Sequence, residues 1–145
     1  SVISGKELAS HYVHAGMIGL DGEKMSKSKG NLVFVSKLVA AGRNPQAIRW
    51  ALMKSHYRTD RMWNEQLLVE AEAEVAALAR ILRSGLVGPT GELIQSIINH
   101  LADDLNTPGA LLEINDWVSQ SFDSGTVEDV DKLILVLDAL LGLKF

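Results

Sequence analysis

From residue 44 onward, apolar positions recur three and four apart, and the recurrence divides the chain into successive helices. One stripe runs Leu67, Ala71, Val75, Leu78 and Leu82, and the next Leu93, Ile94, Ile97, Ile98 and Leu101. A third uses Leu111, Ile114, Val118 and Phe122, and the last Val130, Leu133, Ile134, Leu137, Leu140 and Leu141. Asn44-Pro45 and Thr107-Pro108 each set a capping side chain before proline at the first helical position. Thr90 and Thr126 offer further caps, the latter with Asp129 three residues on. The pattern breaks at Gly85 to Thr90 and at Asp123 to Gly125. Short connections make neighbouring helices antiparallel, so a mainly α fold follows, with a helical bundle over 44–145. Leucine on several sides of the last helix places it deep in that bundle. Trp50, Trp63 and Trp117, within helices or at their starts, are packing residues on this reading.

Ahead of residue 44 the period changes. His11 to Leu20 reads as a strand through Tyr12, Val13, Met17 and Ile18, with Gly16 and Gly19 marking close backbone approach. Asp21-Gly22 is a tight-turn dipeptide, and Glu23 to Met25 returns as a short strand. Leu32 to Val35 is a second β-like run, and Ser36 caps a short helix ending at Gly42. Residues 1–43 therefore form a strand-and-loop segment distinct from the bundle. No internal repeat or low-complexity tract is present.

Composition narrows the classes. At 145 residues, 47% hydrophobic and 22% charged, the chain has the makeup of an ordinary globular protein with a real core. Its net charge of −4 argues against a nucleic-acid surface. No apolar run approaches the roughly 20 residues of a membrane helix. Ser1 to Leu8 lacks the pattern of a secretion signal. The absence of cysteine excludes disulfides and thiolate metal ligands in this chain and fits a cytoplasmic protein. The start without methionine suggests a processed or cloned piece.

The chemistry concentrates in Lys24-Met25-Ser26-Lys27-Ser28, followed by Gly30-Asn31. Two compact cations flank a hydroxyl, a second hydroxyl follows, and a glycine permits a bend: the makeup of a mobile loop that meets phosphate. A solvated turn is the plain alternative for any shorter piece of it. Met25 anchors the loop against the fold. His11 and His14, three apart on a strand, point to opposite faces and do not form a metal pair. His56-Tyr57-Arg58 ends a helix and meets its negative dipole end. Asp103-Asp104 is solvent-facing or capping, because adjacent acids diverge on a helix. No hydrolase triad or GxGxxG fingerprint occurs.

The pentapeptide resembles the KMSKS loop of class I aminoacyl-tRNA synthetases. The likeness extends over almost the whole chain to the C-terminal part of the cysteinyl-tRNA synthetase branch, above all to its mycothiol-pathway ligases. It is carried by His11 to Gly19, Asp21-Gly22, Gly30 to Val33, His56-Tyr57-Arg58 with Asp60-Arg61 and Trp63, Leu101 to Leu105 with Thr107-Pro108, and Asp138 to Gly142. Ala15, Met17, the end at Phe145 and the lack of a basic stripe favour the ligases over the synthetases. The resemblance implies cysteine activation by ATP with Mg to cysteinyl adenylate, then transfer to the amine of glucosaminyl-inositol, or to tRNA in the synthetases. It implies that Lys24 and Lys27 are catalytic, that Met25, Ser26 and Ser28 join them at ATP, and that the Ile18 backbone contacts the adenylate. It also implies an N-terminal nucleotide-binding domain, with a His-Ile-Gly-His-type motif and a zinc site, that this chain lacks. No metal is expected in the chain itself. A noncatalytic helical interaction module is the remaining alternative.

Overall fold

The computed structural model describes Gly5, residues 9–124 and residues 126–145. The rest of the opening stretch Ser1 to Leu8, and Gly125, lie outside the described residues. Strands β1 (Ile18–Leu20) and β2 (Glu23–Lys24) form a hairpin, followed by helices α1 (Val35–Ala40) and α2 (Pro45–Met53). Strand β3 (Arg61–Trp63) leads into α3 (Glu65–Ser84), and β4 (Leu86–Val87) into α4 (Thr90–Ala102). Then come α5 (Thr107–Ser124), β5 (Thr126–Val127) and α6 (Asp131–Val136), which continues as a π-helical turn over Leu137–Leu141.

The strands form two small sheets. One has the order β2-β1-β3, with β1 antiparallel to β2 and parallel to β3; the other pairs β4 with β5. The first sheet thus takes a strand from beyond residue 43. Met25, Val33 and Leu38 pack against the same apolar core as the helices.

That interior is where the stripes meet. Leu68, Ala71, Val75, Leu78 and Leu82 of α3 are buried with Leu93, Ile94 and Ile97 of α4 and Leu111, Ile114 and Val118 of α5. Trp50 of α2 is fully enclosed, and its indole N–H donates to Glu74 Oε2 at 2.6 Å. The other oxygen of Glu74 takes Lys54 Nζ at 2.9 Å. Together these give both Glu74 carboxylate oxygens and the buried indole N–H a partner on the α2–α3 seam. Beside them, hydrogen bonds from Gln66 and then Lys54 hold the Glu70 carboxyl below its ordinary pKa. Trp63 and Trp117 are likewise buried, although Trp63 lies on β3 rather than a helix.

Several local expectations change. The strand predicted over His11 to Leu20 is regular only from Ile18, and residues 9–16 are irregular. Leu32 to Val35 is not a strand: Val35 opens α1, and the cap position is Phe34 rather than Ser36. Of the other four predicted caps, three also move. Asn44 Oδ1 accepts from Gln46 N at 2.9 Å as expected. At α5, however, Asn106 Oδ1 takes Gly109 N at 3.0 Å, while the Thr107 hydroxyl donates to Met53 O at 2.9 Å. Thr90 N is capped from another part of the chain, by Glu128 Oε2 at 3.1 Å. Thr126 sits in β5, and Asp129 Oδ1 accepts from Asp131 N at 2.9 Å to start α6. Side-chain oxygens within reach of a free N–H are interchangeable as caps, so tertiary placement selects among them.

The last helix is not sandwiched. Leu133, Leu137 and Leu141 are buried, but Leu135 is 67% exposed and Leu140 47%. Ile98 and Phe122, assigned to stripes, are also exposed. Among the described residues no helix is long and apolar enough to cross a membrane.

Candidate functional site: the lysine-serine loop

The loop grows from the hairpin. Asp21 and Gly22 both take positive φ (52° and 80°), the geometry of a two-residue turn whose twist matches the strands it joins. Pairing of Gly19 with Lys24 and Leu20 with Glu23 then delivers the chain to Met25. Met25 is half-buried and lines an apolar cavity of about 190 Å³ with Ile18, Val33, Leu38, Leu52 and Trp63. This is the anchoring expected of it.

Beyond Met25 the loop is closed by its own polar groups. Asn31 Oδ1 accepts from Ser26 N at 2.9 Å, and Asn31 Nδ2 donates to Lys24 O at 3.3 Å, so one side chain staples both arms at the base. Ser26 Oγ lies 3.2 Å from Ser28 Oγ and accepts from Lys29 N at 3.3 Å. Gly30 N donates to Lys27 O at 3.2 Å with Gly30 at φ 68°, which makes the bend. The serines therefore organise the loop, and Asn31, named with the loop from the sequence but given no role there, is its structural staple. Its signal was only an asparagine beside a glycine.

The three lysines are not equivalent. Lys29 Nζ is paired with Glu23 Oε2 at 2.8 Å. Lys24 and Lys27 are exposed, and neither forms an ion pair among the described residues. Among the described residues, two ammonium groups are thus left without a counter-ion on a shaped loop, where an anion would find them.

Ile18 sits at a singular point of the sheet. Its strand is central, and Ile18 is opposite Arg61 of β3 on one side. On the other side it lies one residue beyond the Gly19–Lys24 and Leu20–Glu23 pairs, where the ladder to β2 ends. Gly16 and Gly19 mark close approach, as their placement suggested. A Cβ at Gly16 would collide with the backbone of Thr59, and one at Gly19 would lie 2.7 Å from Glu23 O.

The remaining candidates lie elsewhere. His11 and His14 fall in the exposed irregular segment, so the opposite-face argument does not apply to them. His56, Tyr57 and Arg58 do not cap α2. They converge on Asp104: the Tyr57 hydroxyl donates to Asp104 Oδ1 at 2.8 Å and Arg58 Nη2 at 3.1 Å. His56 Nε2 lies 2.9 Å from Asp104 O, and Nδ1 lies 3.4 Å from Arg58 N. The hydrogen bond to Tyr57 and the charge of Asp104 raise the Arg58 pKa above its ordinary value. Asp103-Asp104 does not form a metal pair, and no cluster of three or more His, Asp or Glu able to hold a metal occurs among the described residues.

The family model described as the tRNA synthetases class I (C) catalytic domain matches residues 1–73, which contain the hairpin, the loop and β3. The chain belongs to this class I synthetase family. Within the family, it is 46% identical to a Paenarthrobacter aurescens (strain TC1) protein over 98% of its own length and 34% of that protein's. Its identity to a Nocardia farcinica protein is 46%, over 99% and 35% of the two lengths. For Saccharomonospora viridis the identity is 51%, over 92% and 34%. Each is named L-cysteine:1D-myo-inositol 2-amino-2-deoxy-alpha-D-glucopyranoside ligase. The synthetase-family chain spans about a third of the length of these curated relatives.

Proposed function

We propose that this chain is the C-terminal part of an ATP-dependent ligase that activates cysteine as cysteinyl adenylate and joins it to the amine of glucosaminyl-inositol. The observation that carries the reading is 41–51% identity, across nearly the whole chain, to proteins named for joining those two substrates. The free pair Lys24 and Lys27 supplies the chemistry.

In the first step the cysteine carboxylate attacks the α-phosphorus of ATP, and the bond to pyrophosphate breaks. Negative charge grows on the leaving pyrophosphate, where a Mg²⁺ brought in with ATP would share it. Lys24 and Lys27 stabilise that charge, and Ser26 and Ser28 hold the loop in shape around it. Met25 keeps the loop rooted while it closes and reopens. The main chain at Ile18, at the end of the β1–β2 pairing, would meet the adenosine side of the adenylate. In the second step the sugar amine attacks the activated carbonyl, an amide forms, AMP leaves and the amine loses a proton. We place the reaction in the cytoplasm, where its ATP is supplied.

Zinc does not fit these residues, because the chain has no cysteine and no metal-holding cluster among the described residues. We assign any such ion, with the rest of the nucleotide site, to the N-terminal domain of the longer protein. A second reading, a fragment of cysteinyl-tRNA synthetase, draws support from the family's own description as tRNA synthetases. A net charge of −4 counts against a tRNA surface on this part.

The test supplies the full-length parent protein with cysteine, Mg-ATP and either glucosaminyl-inositol or tRNA. The expected product is the cysteinyl amide of the sugar, with AMP and pyrophosphate. Charged tRNA without amide would transfer the assignment to the second reading, and no adenylation at all would leave a noncatalytic module. The isolated 145-residue chain is expected to show no cysteine-dependent pyrophosphate exchange. Exchange by the chain alone would refute the placement of the remaining machinery outside it.

A further inference from the structure

We propose that Asp104, at the corner between α4 and α5, is a positioning residue that sets the lysine-serine loop from the helical bundle. The inference rests on the adenylation reading above for its kinetic test, and on geometry for everything else.

The connection between α2 and β3 has no regular structure over residues 54–60. Its side chains and its backbone look in different directions. Toward the bundle, the Asp104 carboxylate takes Tyr57 and Arg58 on one oxygen, at 2.8 and 3.1 Å. Arg58 Nε closes the triangle on the Tyr57 hydroxyl at 2.6 Å. The carbonyl of Asp104 takes His56 at 2.9 Å. Three consecutive residues are thereby tied to a single point on the corner.

Toward the hairpin, the same segment acts as a template. Tyr57 O accepts from Gly16 N at 2.7 Å, and Asp60 Oδ1 accepts from Met17 N at 2.6 Å. Arg61 N then donates to Met17 O at 2.9 Å, and β3 runs on beside β1 in parallel. Gly16 abuts the Thr59 backbone so closely that a side chain has no room, which locks the register. A shift of Tyr57 is therefore passed to Gly16 and Met17, through β1 to β2, and so to Lys24.

The corner itself is held in an unusual state. Asp104 and Leu105 are consecutive non-glycine residues with φ of 51° and 55°. Such backbone persists where its surroundings over-determine it, and it clusters at positions where geometry matters. A corner needed only to reverse the chain would be met by glycine at lower strain.

The strain also supplies the decisive variant. In the full-length protein, Asp104→Gly relieves the backbone and removes the carboxylate that holds Tyr57 and Arg58, leaving only the main-chain carbonyl to His56, whereas Asp104→Asn keeps an acceptor for Tyr57 and tolerates the left-handed region. Cysteine-dependent pyrophosphate exchange, thermal unfolding and amide hydrogen exchange would be measured on each. For Asp104→Gly we expect kcat/KM for ATP to fall about tenfold, because small misplacements remote from chemistry can cost up to about 10²-fold. The melting temperature should hold or rise, and amide exchange in peptides covering 16–24 should quicken while that of α3 does not. Asp104→Asn should recover most of the rate. An Asp104→Gly protein with wild-type kcat/KM for ATP and unchanged exchange over 16–24 would overturn the proposal. So would one whose only defect is a lowered melting temperature. If Lys24→Ala and Lys27→Ala also leave the rate untouched, the adenylation reading is what fails. The hydrogen-exchange arm then decides the coupling by itself.

Discussion

Replacing Lys24 or Lys27 with alanine in the full-length protein should lower cysteine-dependent pyrophosphate exchange by on the order of 10² to 10³ each. That is the usual loss when a donor aimed at transition-state charge is removed. The fall should appear in kcat more than in KM for ATP, because charge on the leaving pyrophosphate grows mainly as the bond breaks. The double variant should lose less than the product of the two, since both groups serve the same charge. Lys29→Ala is the internal control. Its ammonium already faces Glu23 at 2.8 Å with both side chains exposed, so its loss should change the rate by no more than about threefold. Equal losses for all three lysines would show a general electrostatic effect and remove the special role of the free pair. Adenylation at wild-type speed without Lys24 and Lys27 would end the proposed mechanism.

Trp50→Ala should cost about 3–5 kcal/mol of stability, the range for deleting a large buried aromatic. Trp50 is fully enclosed between α2 and the long helix α3, and its N–H is one of the donors that satisfy Glu74. Removing it opens a cavity and takes a hydrogen bond from a half-buried carboxylate in one step. Trp50→Phe separates the two effects. It fills most of the space but leaves Glu74 with Lys54 alone, so a loss of about 1–3 kcal/mol is expected. Denaturant unfolding at an unchanged m-value would measure both. A loss below about 1 kcal/mol for Trp50→Ala would mean that this helix pair does not carry the core. Against a typical total of about 5–15 kcal/mol, the expected change is large enough to threaten folding at 37 °C.

Particular residues show what could be read in advance. The stripe Ala71, Val75, Leu78 and Leu82 is buried as its spacing required, because a helical face of that width has nowhere else to go. Asp21-Gly22 makes the turn it signals, since few dipeptides tolerate two positive φ values. Gly16 and Gly19 stand where backbones meet. By contrast, the β-like run Leu32 to Val35 is irregular up to Phe34 and only its last residue enters a helix, because short apolar runs carry no period that fixes their structure. The amphipathic face of the last helix was overestimated for a related reason. Leucine identity says nothing about which side is covered, and Leu135 remains open to solvent.

For the site, the division is sharper. The residues of the loop, their cationic character and the hairpin that presents them are local properties, set by neighbours a few positions apart, and so they could be read from the chain itself. Which lysines stay free was decided by Glu23 reaching Lys29, and the loop's base by Asn31. The third strand of the sheet and the grip of Tyr57 and Arg58 on Asp104 join residues more than 40 positions apart. Periodicity and propensity report the preference of a segment for a shape. Only the packed fold determines which distant donor and acceptor come within 3 Å of each other, because that choice is made by the whole core at once.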